Sequence, residues 1–549
     1  MDIIVSDRFC ISGRYGKVLS DGFGGMDGTV LQHIVTGRDS PAPVLYEVDG
    51  SFVTFMNLFS VDSWRRYTVV SDVSVEVVTD GPATVRLVRP SGEVLDSVES
   101  DGVAVMPVVT DHGMVGVEVD GTFVSGCFYT SADPVRTCRM ALNVCTHDRV
   151  PYVERKVADF LRFSRDACFD ADMFVVDNHG NLPDLPVRVI RNGNLGGSGG
   201  FARGLYEIRR EGGYTHMVFM DDDTVLDFES VHRMWALCSF LRDENAGCMV
   251  GGAMLRSDMP TVVHEKGVSI GMERYGGNLD VSTPGGCAEF DSQDPAVANG
   301  WWLCCTPFLG EDDYPAPFFT GYDDLEYGLR HGSAVIHLNG VSVWHDSFET
   351  KYDPRRLYYY DVRNYLAMRA MGGNLDAGLM WDVYRHCVVE ALCMRTVNAG
   401  LVLRALGDFM SMGFLETDQE GLHARLPVVV DCGCDAPLGV ESRRPRLLTV
   451  LTLNGMLLPS RGAVIAPART RSVSYSYRAS RVIHYDAGSG RRFAQDRDLP
   501  GTLRILFGMT FGTVRCILSR RGLCRRYSLV SDRVHSEGFW RDRFRSGTL

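Results

Sequence analysis

The 549-residue sequence predicts an α/β fold, with an N-terminal β-sandwich before it and a mainly helical region after it. Between residues 46 and 128, apolar residues alternate with polar ones in short stretches separated by Asp-Gly or Ser-Gly pairs, which is typical of antiparallel strands. After Pro134, apolar strands alternate with amphipathic helices, which indicates a parallel sheet. Beyond about Lys351 the apolar spacing becomes helical. The predicted regions are residues 1–135, 136–355 and 356–549.

The individual elements follow from the same periodicities. In the first region, Asp80-Gly81 and Asp101-Gly102 are interpreted as turns between separate strands. The strands predicted in the second region are 140–146, 173–177, 187–190, 215–220 and 248–252. Helices are expected at 201–210, at 231–241 and over most of 379–410.

The charge distribution argues against a general nucleic-acid binder. The formal net charge is −13, and binding to a phosphate backbone depends mainly on Lys and Arg. Residues 491–549 hold 13 arginines and five acidic residues, so an acidic body ends in a basic tail. Arg504 and Arg515 interrupt the apolar stretch of this tail, which is therefore too short to span a bilayer. The tail is interpreted either as an interfacial helix on anionic lipid or as a helix packed on the core or on another subunit.

The cysteine pattern indicates reduced thiols in a cytoplasmic protein. The 16 cysteines are scattered, and the N-terminal sequence lacks the pattern of a secretory signal. Neither Cys432 with Cys434 nor Cys304 with Cys305 has a matching second pair at zinc spacing, so we do not expect a structural zinc site.

Three consecutive carboxylates, Asp221, Asp222 and Asp223, follow a predicted apolar strand. In open α/β sheets, ligands bind beyond the carboxyl ends of the strands. An extended backbone would place Asp221 and Asp223 on one side, as two oxygen ligands for Mg²⁺ or Mn²⁺ on a diphosphate. The alternative is a solvated acidic turn.

Other polar residues are expected at the same edge. Thr146 and Arg149 follow the first strand of the sheet and Asp177 follows the second, where they could read a nucleoside or neutralise phosphate, or could be ordinary turn and cap residues. The glycine-rich segment around Asn194, Gly196 and Gly197 could present backbone amides to phosphate at a helix N-terminus, or could be a flexible loop.

Two further segments hold candidate catalytic or metal-binding residues, one at the start of a helix and one at the end of a strand. Asp323 and Asp324 stand at a predicted helix start, where Asp324 could act as a general base or the pair could simply cap the helix. His345 ends a late strand and is a candidate third metal ligand. Trp301 and Trp302 are interpreted as an aromatic platform for a sugar, with one ring exposed, although core packing is the alternative.

These motifs occur in an order and spacing that resemble the inverting family 2 glycosyltransferases of the A-type (Rossmann-like) fold, most of all the actinobacterial galactofuranosyltransferases of cell-wall galactan synthesis. The motifs are THDR, VVDN, NLGGSGGFARG, FMDDD, WWLC, GYDDLEYGLR and VWHDSF. The resemblance is strong from residue 139 to 364, and that family also has an N-terminal β-sandwich and a helical C-terminal region.

The resemblance implies UDP-galactofuranose as donor, Mn²⁺ or Mg²⁺ as cofactor and a hydroxyl of a galactan, on a lipid-linked or related cell-surface glycan, as acceptor. It implies metal ligation by Asp221, Asp223 and His345, and proton removal by Asp324. The implied donor-binding residues are Thr146, Arg149, Asp177, Asn194, Gly196, Gly197 and Asp222. The implied acceptor-binding residues are Trp301, Trp302, Asp323 and Phe348.

Phe348 departs from the family pattern, because polymerising members have a tryptophan three residues after the metal histidine. A phenyl ring can stack on a sugar but lacks the indole N–H donor, so a different acceptor is expected. Another donor, such as a glucose, N-acetylglucosamine or rhamnose nucleotide, and an inactive carbohydrate-binding protein remain as alternatives. The expected location is the cytoplasm or the inner face of the plasma membrane, and the sequence leaves open whether the chain forms a homo-oligomer.

Overall fold

The computed structural model describes residues 17–18, 28–37, 40–166, 171–269, 272, 274–292, 295–308, 310–433, 437 and 446–546. Cys434 lies outside these described residues, so the prediction about its pairing has no structural counterpart.

The N-terminal region is built on an antiparallel sheet. Its order is β1-β2-β7-β4-β6-β3, with β5 paired to β4. The elements are β1 (Lys17–Val18), β2 (Gly28–His33), β3 (Phe59–Ser60), α1 (Val61–Tyr67), β4 (Ser74–Val88), β5 (Val94–Pro107), β6 (Met114–Asp120) and β7 (Phe123–Thr130). Along β4 the burial alternates residue by residue, as expected for a strand with one face on a core.

The predicted turns at Asp80-Gly81 and Asp101-Gly102 are wrong. Both pairs lie inside long strands, and they face each other where β4 and β5 slip in register between Val78 and Pro82. The positive φ of Gly81, 86°, fits an irregularity of this kind. An Asp-Gly pair therefore marks a bulge here instead of a chain reversal, because the strands continue to pair on both sides of it.

A seven-stranded sheet forms the centre of the molecule, in the order β10-β9-β8-β11-β16-β12-β17. Strands β8 to β11 are parallel to their neighbours in this group, whereas β16 runs antiparallel between β11 and β12. A smaller sheet, β15-β14-β13-β18, lies beside it. The elements are β8 (Met140–Thr146), α2 (Val150–Asp166), β9 (Ala171–Asp177), β10 (Arg188–Arg191), α3 (Gly196–Glu211), β11 (His216–Asp221), α4 (Glu229–Phe240), β12 (Met249–Gly251), β13 (Ala253–Arg256), β14 (Val262–Glu265), β15 (Leu279–Asp280), α5 (Pro284–Ser292), β16 (Cys304–Pro307), α6 (Asp323–His331), β17 (Val335–Ile336) and β18 (Ser342–His345).

Helices dominate the C-terminal region, which also contains a three-stranded sheet. The elements are α7 (Asp361–Met371), α8 (Ala377–Leu392), α9 (Thr396–Ser411), α10 (Gln419–Ala424), α11 (Arg446–Leu451), β19 (Ala463–Pro467), β20 (Arg481–Tyr485), β21 (Arg492–Asp496), α12 (Leu499–Val534) and α13 (Glu537–Ser546). The 36-residue α12 packs against α7, α8 and α9 around a common apolar core. Within the described residues, α12 is the one helix whose length and composition would allow it to cross a bilayer, a test that helices of soluble proteins also pass.

The N-terminal and central regions share one apolar core, and α4 carries a buried polar anchor between them. Arg233 Nε donates to Glu229 Oε1 at 3.0 Å, and its other nitrogens donate to the carbonyls of Met56, at 2.6 Å, and His33, at 3.0 Å. The guanidinium thus satisfies backbone carbonyls of the N-terminal region from within the central region. His33 also hydrogen-bonds the Glu229 carboxylate, so this ion pair holds the two regions together.

Candidate active site

Asp221, Asp223 and His345 converge at the ends of two strands. Asp221 is the last residue of β11, His345 is the last residue of β18, and one ligand atom from each of the three residues lies within 4.8 Å of the others. His345 Nε2 is 3.3 Å from Asp223 Oδ1. The arrangement brings together three residues that are far apart in sequence.

The histidine has the tautomer that a metal ligand needs. His345 Nδ1 lies 2.6 Å from the carbonyl oxygen of Asp346 and must donate to it, since a carbonyl can only accept. The lone pair of the neutral ring is then on Nε2, the atom directed at Asp223. Two carboxylates and one imidazole nitrogen therefore fit a divalent cation.

The two carboxylates of this group have pKa values shifted in opposite directions. Burial and the charge of Asp223 raise the pKa of Asp221 to about 6. At Asp223 burial acts in the same direction, but the nearby His345, Lys351 and Arg149 outweigh it and hold the pKa well below the usual aspartate range. A cation between Asp221 and Asp223 would favour the ionised form of both.

Asp222 is directed away from the Asp221–Asp223–His345 group, toward the end of β8. It accepts hydrogen bonds from Thr146 Oγ1 at 2.7 Å and from Arg149 Nη1 at 3.0 Å. Arg149 Nη1 also lies 2.5 Å from Asp223 Oδ2. The structure thus brings together three residues that are predicted to bind the nucleotide, and it holds the guanidinium of Arg149 beside the metal-ligand candidates.

The carboxylate of Asp177 accepts hydrogen bonds from the turn that follows it. Its Oδ1 accepts from the backbone amides of His179 and Gly180, and its Oδ2 accepts from the amide of Leu182 and from Arg191. Burial opposes ionisation, but these amides outweigh it and lower the pKa of Asp177. The geometry favours the turn role over direct contact with a nucleoside.

The glycine-rich segment begins α3, but the amides of its first residues are already used. Gly196 N–H donates to Asn194 Oδ1 at 3.2 Å, and Gly197 N–H donates to the carbonyl of Phe319 at 2.8 Å. A Cβ on Gly196 would lie 2.0 Å from the Phe319 oxygen, so glycine is needed for close packing. The expectation that these two amides are free for phosphate is therefore wrong.

Asp323 and Asp324 begin α6, after Tyr322 in the left-handed region at φ 67°. Asp323 is buried, and burial with the adjacent charge of Asp324 raises its pKa to about 8. Asp324 is half-buried, its Oδ1 accepts from the amide of Leu325 at 2.8 Å, and burial raises its pKa as well. The more accessible of the two carboxylates is therefore the one predicted to be the base.

The tryptophan pair is not a surface platform. Each side chain is only 5% exposed, so the expectation of an exposed ring is wrong. Trp301 stacks on Phe219 with ring centroids 4.2 Å apart, and Trp302 Nε1 donates to the carbonyl of Gly252 at 2.7 Å. Both rings fill the core on either side of β16, where burying their large apolar surface is favourable. Phe348, by contrast, is half-buried, with its ring 5.5 Å from that of His345.

Two curated relatives match most of this chain. The galactofuranosyltransferase GlfT2 of Mycobacterium tuberculosis (strain ATCC 25618 / H37Rv) is 26% identical over 432 residues, which cover 66% of each chain. GlfT2 of Mycolicibacterium smegmatis (strain ATCC 700084 / mc(2)155) is 25% identical over 469 residues, covering 73% of this chain and 71% of the relative. The chain is a glycosyltransferase similar in sequence to these galactofuranosyltransferases.

Two other comparisons add less detail. No family model matches this glycosyltransferase. Among solved structures, GalNAc-T7 with UDP, GalNAc and Mn²⁺ is 11% identical, with a TM-score of 0.31 over 54% of this chain and 59% of its own. The alignment with the first curated relative leaves about a third of that relative's length unmatched.

Two lysines of this glycosyltransferase were missed by sequence reasoning. Lys351 Nζ lies 3.2 Å from Asp223 Oδ2, and no motif marks it. Lys156 is buried in α2, where Nζ donates to the carbonyl of Thr224 at 2.8 Å and to its hydroxyl at 2.9 Å. Burial lowers the pKa of Lys156 to about 8, although the three aspartates oppose this. Its position beside the apolar residues Val153 and Val157 was the available signal.

Proposed function

We propose that this glycosyltransferase moves galactofuranose from UDP-galactofuranose to a hydroxyl of a galactan or related cell-surface glycan, with Mn²⁺ or Mg²⁺ as cofactor. The observation that carries the proposal is the convergence of Asp221, Asp223 and His345 within 4.8 Å at the strand ends. The names of the two mycobacterial relatives support the choice of donor. The imidazole favours Mn²⁺ over Mg²⁺, because Mg²⁺ prefers oxygen ligands alone.

The donor's diphosphate would lie between the metal ligands and Arg149. When bound, the cation neutralises the negative charge that develops on the departing UDP. Arg149 supplies a second positive charge, and its hydrogen bond to Asp222 fixes it there before the donor arrives. Thr146 holds the other oxygen of Asp222, so this pair positions the arginine.

Asp324 is the proposed general base. It would accept the proton of the acceptor hydroxyl while that oxygen attacks the anomeric carbon, which gives inversion and a β-linkage in one displacement. Its raised pKa supports this role, since a more basic carboxylate is a better proton acceptor. Asp323, with a pKa of about 8, is protonated at neutral pH and could donate a hydrogen bond to the acceptor.

Phe348 is the proposed aromatic contact for the acceptor. Its ring lies near His345 and beneath the guanidinium of Arg356, whose Cζ is 5.1 Å from the ring centroid. Trp301 and Trp302 would support the acceptor wall from within the core, since their rings are buried. Because Phe348 lacks an indole N–H, we expect an acceptor or register different from that of the polymerising relatives.

A lipid-linked acceptor would be met at the inner face of the membrane. One face of α12 exposes large apolar side chains at helical spacing, with Phe507 and Phe511 more than 70% exposed and Leu518 80% exposed. Arg504 and Arg515 are exposed on the same helix. Apolar and cationic side chains on one surface support peripheral binding to anionic lipid.

Transfer from a panel of nucleotide sugars tests the proposal. The purified chain with Mn²⁺ should release UDP from UDP-galactofuranose much faster than from UDP-glucose or UDP-N-acetylglucosamine, and faster than it releases dTDP from dTDP-rhamnose. Preference for another donor would replace galactofuranose while keeping the enzyme class. Failure to bind UDP with Mn²⁺ would instead favour an inactive carbohydrate-binding protein.

A further inference from the structure

Three cysteines and one histidine are buried in the core of the central sheet, at the end opposite the proposed active site. Ligand atoms of Cys138, His216 and Cys238 all lie within 4.8 Å of one another, and Cys138 Sγ is 3.5 Å from His216 Nδ1. Cys305 is buried on β16 and belongs to the same core cluster as Cys138 and Cys238. We infer that these four residues form a structural zinc site of the Cys₃His type.

The four residues come from four separate elements. Cys138 precedes β8, His216 begins β11, Cys238 lies on α4 and Cys305 lies on β16. Val218 is the registered partner of Cys305, so His216, two residues earlier, is on the same face of the sheet. That face is the one covered by α4, since Cys138, Val218, Cys238 and Cys305 share one core cluster.

The spacing of Cys138, His216 and Cys238 fits a tetrahedral zinc site in which Cys305 would be the fourth ligand. Around a zinc ion with ordinary bond lengths, neighbouring sulfur and nitrogen ligands are separated by about 3.5 to 3.8 Å. The Cys138–His216 distance of 3.5 Å falls in this range. All four side chains are buried, with exposures of 7% for His216 and 2% or less for the cysteines. No ligand position is left open to solvent, which is typical of structural sites and not of catalytic ones.

The chemistry of these side chains also fits zinc, which thiolates and imidazole bind well. A thiolate buried in an apolar core is costly unless a positive charge accompanies it, and zinc supplies that charge. The hydroxyl of Thr215 lies 2.9 Å from His216 Nδ1 and 3.2 Å from the carbonyl oxygen of Arg139. If zinc binds the ring nitrogen, the hydroxyl can still donate to that carbonyl.

The site is separate from the proposed catalytic metal. His216 and Asp221 are the first and last residues of β11, so they are about 17 Å apart along the strand. The zinc would connect α4 to β11, to β16 and to the segment before β8. Trp235 Nε1, on the same helix, also donates to the carbonyl of Cys138 at 2.9 Å. In the sequence, Cys304-Cys305 and Cys432-Cys434 do not have the spacing of a zinc site. The ligands proposed here are far apart in the sequence, and only the fold brings them together.

Metal analysis of the full-length chain tests the inference. Protein purified with a phosphine reductant and without chelator should retain about one zinc ion per chain after brief dialysis against EDTA. Cys238→Ser should lose this zinc, whereas Cys387→Ser, at a buried thiol in the helical region, should keep it. Asp223→Asn should also keep it, which separates this ion from the proposed catalytic metal.

A second measurement decides the question if Cys238→Ser does not fold. Wild-type protein produced with Co²⁺ should show sulfur-to-metal charge-transfer bands and the strong visible bands of tetrahedral cobalt. Reduced protein that takes up neither zinc nor cobalt at this site would overturn the inference. Peptide mapping that finds a Cys138–Cys238 or Cys238–Cys305 disulfide in the isolated chain would also overturn it.

Discussion

Lys351 Nζ lies 3.2 Å from Oδ2 of Asp223, while His345 lies 3.3 Å from Oδ1 of the same carboxylate. The lysine therefore occupies one side of a candidate metal ligand in this structure. A bound cation would compete with the ammonium for Asp223, and we expect Lys351 then to contact the diphosphate of the proposed donor.

Replacing Lys351 with Met should tighten Mn²⁺ binding in the absence of nucleotide and weaken UDP binding in the presence of Mn²⁺. The gain in Mn²⁺ affinity should be no more than about fivefold, because a partly exposed ion pair contributes about 1 kcal/mol at most. Electron paramagnetic resonance of free Mn²⁺ and calorimetry with UDP measure the two effects. Lys351→Arg keeps the charge and serves as the control; equal Mn²⁺ affinities for wild type and Lys351→Met would rule out the competition.

Asp324→Asn should lower kcat by about 10² to 10⁴, the usual contribution of a general base, with UDP affinity unchanged. The base must be deprotonated to act. Since burial raises its pKa, activity should be lost as pH falls through a value above the ordinary aspartate pKa of about 3.9. The pH profile of kcat/KM at saturating Mn²⁺ measures this. Near-normal turnover of Asp324→Asn would remove this residue as the base.

Arg233→Met should destabilise the chain by about 3 to 5 kcal/mol, because it removes the arginine partner of the buried Glu229 and leaves the carbonyls of Met56 and His33 without this donor. Arg242→Met is the matched control, since Arg242 also donates to carbonyls of the N-terminal region but is exposed. Its cost should be about 1 kcal/mol. Urea denaturation followed by tryptophan fluorescence compares the two, and equal midpoints would contradict the anchoring role of Arg233.

The same anchor makes stability depend on pH. The charges of His33, His232 and Arg233 outweigh burial and lower the pKa of Glu229 to about 2. Its contribution is therefore complete above the ordinary glutamate pKa of about 4.3 and is lost as pH falls toward 2. In Arg233→Met this acid-labile contribution should shrink, which acid titration of the fluorescence detects.

Replacing Phe507, Phe511 and Leu518 together with Gln should reduce flotation with anionic vesicles by at least about tenfold, since each large apolar side chain contributes about 1.5 kcal/mol or more on insertion. Val428→Gln with Val430→Gln alters exposed apolar residues that do not belong to α12 and should leave flotation unchanged. High salt should weaken binding through Arg504 and Arg515. Flotation equal to wild type would assign the exposed face of α12 to another role.

The features that the sequence predicted most accurately are the residues at the ends of strands. Strand β8 has the predicted bounds, and Asp221 and His345 meet because their strands end at the same side of the molecule. The local sequence pattern did not predict contacts that depend on tertiary packing. The amide of Gly197 bonds to Phe319, 122 residues later in the chain, and nothing near Gly197 in the sequence indicates that partner.

The sequence also did not predict which of the candidate site residues are buried. Trp301 and Trp302 lie in a turn before β16, and their rings pack into two different apolar cores, so neither ring is exposed. Lys351 was missed for a related reason. A lysine on an irregular segment has no periodicity, and only the folded chain shows which carboxylate it contacts.

Transfer assayed with and without chelator tests the central claim most directly. The assay is release of UDP from UDP-galactofuranose with a galactan acceptor, in wild type and in His345→Ala, with His264→Ala as a control for a neighbouring ring. We predict that EDTA abolishes transfer by wild type and His264→Ala, that Mn²⁺ restores it, and that His345→Ala stays inactive at Mn²⁺ concentrations that saturate wild type. Transfer that persists in EDTA, or full activity of His345→Ala, would contradict the account.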